Sequence, residues 1–131
     1  MTMITAISHP KTELPTLLEQ AVAAHANLVQ VRLDGGRAVV EIMASGSVVA
    51  ATGWPLEHCS QVLPATFGLC DGADDYQYGS SRTARMTGEK LALPAGITMV
   101  FLQFFPARDG QRHLVARLTY DSETCCGTCG G

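Results

Sequence analysis

The side chains best suited to metal or nucleophilic chemistry are five cysteines and four histidines, and three of those thiols crowd together near residue 131. Cys126-Gly127-Thr128-Cys129 is a C-x-x-C with Cys125 beside it. Thiols at that spacing grip one metal ion or cycle through a disulfide. A redox C-x-x-C opens a helix, whose N-terminus lowers the thiol pKa, whereas this one lies in a glycine-rich stretch. A closed zinc site takes four ligands, so Cys125, Cys126 and Cys129 need a fourth from elsewhere or from a second molecule. Silent thiols are the plainest reading, metal or thiol chemistry the next, and an intermolecular disulfide the third.

Three further constellations have plainer readings. His58 and Cys59 are adjacent, and neighbours on a helix point about 100° apart, so a base–nucleophile pair is not expected. Cys59 fits an apolar helix face as a buried, inert thiol. Asp71, Asp74 and Asp75 form an acidic loop without the alternating oxygen ligands and terminal glutamate of a calcium loop, so a solvated turn is expected. Trp54, Phe67, Phe101, Phe104, Phe105 and Tyr120 suit a core better than a ligand pocket. Phe104 and Phe105 are consecutive and must face opposite sides of a strand, which makes them candidates for a partner surface.

Nucleotide and hydrolase motifs are missing from these residues. The two lysines, Lys11 and Lys90, follow Pro10 and Glu89, so there is no Gly-Lys of a Walker A loop. No G-x-G-x-x-G or G-x-S-x-G occurs either. The chain is therefore expected not to be an enzyme, with no cofactor of its own beyond a metal at the tail cysteines.

The elements that position these residues follow from periodicity. Residues 1–12 read as an arm. Leu14, Leu17, Leu18, Ala21 and Val22 recur at helical spacing, which predicts a helix over 13–25 capped by Thr12, with Pro15 in its first turn. The period then drops to two: Val29, Val31 and Leu33 alternate with polar residues. Asp34-Gly35-Gly36 turns the chain into a second strand over 38–44, and Ser45-Gly46-Ser47 into a third over 48–52. Pro55 opens a second helix over 56–67, which Pro64 should kink or shorten. A weak strand is expected over 81–86. The stretch 97–105 is apolar at nearly every position and reads as a central strand covered on both faces. A last strand follows over 113–120. The order α-β-β-β-α-(β)-β-β describes one antiparallel α+β domain over 13–121, two helices packed on its sheet, with a Gly/Cys-rich tail over 122–131.

Composition sets the outer bounds. With 47% hydrophobic and 16% charged residues, a packed core is expected. The net charge of −3 and the lack of any run of basic residues argue against nucleic acid. No apolar run is long enough for a transmembrane helix, and the first residues lack the basic and apolar regions of a signal peptide, so a cytoplasmic location is expected.

Two stretches together carry a resemblance. The first is Leu17-Leu18-Glu19-Gln20-Ala21-Val22, then Val29-x-Val31-Arg32 and a hairpin ending before Ser45-Gly46-Ser47-Val48-Val49. The second is Leu93-Pro94-x-Gly96, a strand, Pro106, Gly110-Gln111-Arg112, then Leu114-Val115-x-Arg117-Leu118. This pattern resembles the N-terminal, PAS-like domain of the type II/type IV secretion, pilus and conjugation ATPases, over residues 14–120. The family's Ser-Asp-hydrophobic-His signature is replaced by Asn27-Leu28-Val29-Gln30, and its nucleotide-approaching arginine by Phe101. The resemblance implies a non-catalytic regulatory and assembly domain that contacts itself, a motor core or secretion-machinery proteins. ATP would enter only through such a core, with Arg112 and Arg117 near a neighbouring subunit or the nucleotide. Two other readings remain: a stand-alone small-molecule-binding or sensor domain, and a thiol- or metal-handling protein.

Overall fold

The structure is a computed structural model that describes residues 9–72 and 74–121. It is α+β. The elements are α1 (Pro10–Ala23), β1 (Leu28–Asp34), β2 (Arg37–Ala44), β3 (Ser47–Pro55), α2 (Leu56–Gly68), β4 (Arg82–Met86), β5 (Ile97–Phe104) and β6 (Arg112–Tyr120). All six strands join one antiparallel sheet in the order β3-β2-β1-β6-β5-β4. The first three strands thus form a meander, the last three form another, and β1 and β6 zip the two together.

Both helices pack on one face of this sheet. Strand alternation sends Val29, Val31, Val40, Ile42, Val100, Leu102, Phe104, Leu114 and Ala116 to that face, where they meet Leu14, Leu18 and Ala21 of α1 and Val62, Leu63 and Phe67 of α2. Each fully buried Leu or Phe in this layer is worth about 1.5–3 kcal/mol of apolar transfer. Among the described residues no helix lies on the opposite face.

Several boundaries differ from the sequence expectation, each for a local reason. Helix α1 begins three residues earlier, because His9 caps it: the His9 ring accepts from the Lys11 N–H, and Pro10 takes the first helical position. It also ends earlier. Asn27 donates its N–H to the Met43 carbonyl and accepts from Leu118, so the chain has already joined the sheet. Pro64 does not shorten α2, which runs on to Gly68. An interior proline costs about 3 kcal/mol, and burial of Leu63 and Phe67 beside it outweighs that.

The largest correction concerns β5. It is not the central strand and is not covered on both faces: it lies second from an edge, and its burial alternates. Its outward residues are Met99, Phe101 and Gln103, two of them large and apolar. That composition made a half-covered strand read as a fully covered one.

Candidate functional site

The uncovered face of the sheet gathers residues that are scattered in the sequence. Strand pairing lines up Arg117 of β6 with Leu28 on one side and Phe101 on the other, and Phe101 with Arg85 of β4. Phe101 therefore sits between two exposed arginines in one row across the strands. Arg32 pairs with Arg112 where β6 carries an extra residue, His113. That bulge matters. Arg112 and Arg117 are five positions apart and would face opposite sides of a regular strand, but the inserted residue brings both to the uncovered face. Arg37 follows on β2, its guanidinium lying over Gly53.

Five of the chain's seven arginines, at positions 32, 37, 85, 112 and 117, thus share one face of a protein whose net charge is −3. Only two acidic strand residues, Asp34 and Glu41, share it. Glu41 is held by Arg32 Nε at 3.3 Å and by Gln30 Nε2 at 2.9 Å. The Arg32 hydrogen bond, then that of Gln30, keeps the Glu41 carboxyl below its usual pKa of 4.5. Among the described residues no carboxylate pairs with Arg85, Arg112 or Arg117. Half-buried Leu28, Val39, Met43, Phe101 and Phe105 fill the spaces between the charges.

Two hollows lie beside the sheet, one on this face and one at its end next to α2. One of about 560 Å³ is lined by Phe101, Thr83, Arg85, Asp71, Gly72 and Glu89. The other, about 720 Å³, lies at the end of the sheet between the β1–β2 turn, the start of α2 and the loop before β6. Its lining includes Leu33, Leu56, Tyr78, Ala107, Glu57 and Asp109. Leu56 and Tyr78 are 42% and 40% exposed, two of the four large apolar or aromatic side chains left open among the described residues.

Behind Tyr78 runs a buried relay. His113, fully buried, donates from Nδ1 to the Phe105 carbonyl at 2.6 Å, so its Nε2 accepts from the Tyr78 hydroxyl at 2.8 Å. Burial holds the His113 pKa below 6.5 and keeps the ring neutral. Burial also pushes Tyr78 up to about 12 and the neighbouring Cys59 thiol up to about 11. Each group is held in its uncharged form near pH 7, so the relay locks a tautomer and a loop and supplies neither phenolate nor thiolate.

The residues singled out from sequence divide as follows. Arg112 and Arg117 are exposed on the same face. Phe105 is half-buried at its margin, but Phe104 is 1% exposed, packs within the core against Phe67 and Tyr76, and offers no surface to a partner, contrary to the sequence expectation. The inward parity of β5 is the reason. His58 turns away from Cys59 to Glu13 Oε2 at 2.5 Å and packs its ring edge-on against Trp54. Asp71 holds Thr87 through its backbone N–H and hydroxyl, and Asp75 pairs with Arg82, so both act within the chain. Cys125, Cys126 and Cys129 lie outside the described residues.

Sequence reading missed the arginine face because no two of its members lie close enough in the chain to form a run. The signal was present only as parity: Arg32, Arg85 and Arg117 each occupy the non-core phase of an alternating strand. The chain matches no protein-family model and no curated protein.

Proposed function

We propose that this domain is a non-catalytic assembly module whose arginine-lined sheet face docks an acidic surface of a motor core. The reading combines the resemblance to the N-terminal domains of secretion and conjugation ATPases with one observation that carries it: five arginines collected on an uncovered face. Exposed arginines around half-buried apolar residues are the composition of a protein interface, and their charge steers an acidic partner.

Reading the native DNA beyond the Gly131 codon tests this. An in-frame G-x-x-x-x-G-K-[ST] motif is the expected result, and a stop codon directly after Gly131 contradicts attachment to a motor. In that case the hollow beside Tyr78 favours a second reading, a small-molecule-binding or sensor domain. Its ligand would raise the melting temperature, because binding to the native state alone stabilises it.

A further inference from the structure

The two edges of the sheet are built differently, and the difference selects a partner for one of them. Edge strands expose unpaired backbone N–H and C=O groups, and proteins guard them by keeping them short, charging them or covering them. Strand β4 is guarded in each way: it is five residues long, it carries Arg82 and Arg85, and the Asp71 N–H covers its Arg85 carbonyl at 2.8 Å. Strand β3 is neither short, charged nor covered; its interruptions are a bulge at Val49, the extra residue between the Ile42–Ala50 and Met43–Val48 pairs, and Pro55 at its end. It spans nine residues from Ser47, has no charged side chain, and is exposed at every position except Trp54. Among the described residues no hydrogen bond reaches its outer rim. Val48 and Val49 stand there 48% and 49% exposed, and past the bulge Ala50 and Ala51 add only methyl groups, the Arg37 guanidinium reaching the strand at Gly53.

We propose that β3 pairs antiparallel with β3 of a second copy, joining two six-stranded sheets into one of twelve strands. An antiparallel edge is its own complement about a two-fold axis, and an uncharged edge meets its copy without like-charge repulsion. It also offers no charge by which to select a charged foreign strand. With the axis normal to the sheet, both helix layers fall on one side and both arginine faces on the other. The dimer therefore presents a single cationic surface of double length. This inference stands on the edge alone and does not depend on the motor reading.

Sedimentation velocity under reducing conditions tests it, with reductant present so that the tail thiols cannot link the chains. The wild-type protein is expected at twice its 13.9 kDa mass, dissociating on dilution. Val49→Lys/Ala51→Lys, which gives β3 the kind of guard β4 has, is expected at 13.9 kDa with an unchanged circular dichroism spectrum. Arg85→Glu/Arg117→Glu is expected to remain dimeric, which separates this contact from the docking face. Should the lysine variant fail to fold, amide exchange of wild-type residues 47–55 replaces it, slowing as protein concentration rises. A wild-type monomer at 200 µM (on the order of the highest practical loading for a weak complex) overturns the proposal. So does a dimer that survives both lysines, or amide exchange over β3 that is independent of concentration.

Discussion

Thr66 is the one described side chain whose buried polar atom lacks a partner: its hydroxyl sits at zero exposure on the core side of α2 with nothing to bond. An unsatisfied buried hydroxyl costs about 1–3 kcal/mol, and valine has nearly the same shape. Thr66→Val is therefore expected to raise stability by roughly 1 kcal/mol in urea titration; a loss of stability would mean that the hydroxyl is bonded in solution. The internal thiols behave in the opposite sense to reactive ones. Burial pushes Cys59 to about 11 and Cys70 to about 12, so neither supplies thiolate near pH 7. Titration with a thiol-specific disulfide reagent should find both silent in the folded protein and reactive after denaturation. Rapid labelling of Cys59 under native conditions would show that the α2 face opens. Sequence anticipated the burial of Cys59, because its position on an apolar helix face is a local property. It did not anticipate the His113–Tyr78 bond, which links residues 35 positions apart and leaves no periodic trace.

The elements themselves were legible where one period held for several residues. Strand β1 reads as a strand because Val29, Val31 and Leu33 alternate with polar neighbours, and its burial alternates in the same phase. The place of β5 was not legible. Apolar residues on both its phases look the same whether a second layer covers the outer phase or a partner face uses it, and only the pairing order separates the two cases. Phe104 carries the inward phase, touching Phe67 and Tyr76 at ring-centroid distances of 5.4 and 4.9 Å. Phe104→Ala is expected to cost about 3–5 kcal/mol of stability. Phe101→Ala, on the uncovered phase of the same strand, should cost under about 1 kcal/mol while weakening partner binding. Equal thermal destabilisation by the two would contradict the assignment of faces.

Across the whole molecule, pH acts through groups whose folded and unfolded pKa values differ. The folded His113 lies below 6.5, so between its folded and unfolded values only the unfolded chain carries the extra proton. Its contribution is complete above pH 6.5 and is lost as pH falls through that value toward the folded one. Glu41, held below 4.5 by Arg32 and Gln30, adds a second loss at lower pH in the same direction. Urea midpoints should hold steady above about pH 7 and then fall on acidification. His113→Gln, which can still donate to the Phe105 carbonyl, should remove the upper step. A midpoint that is flat from pH 7 to 5 would place His113 in contact with water.

At this scale, a protein of net charge −3 gathers five arginines on one sheet face, which we propose meets an acidic motor core. Where the native DNA continues in frame into a motor core, the most direct test is calorimetric titration of the domain against that core at low and at physiological salt. The account predicts binding that weakens as salt rises and is lost in Arg85→Glu/Arg117→Glu, with the melting temperature of the variant unchanged. Binding of equal strength in the wild type and the charge-reversed variant would contradict it.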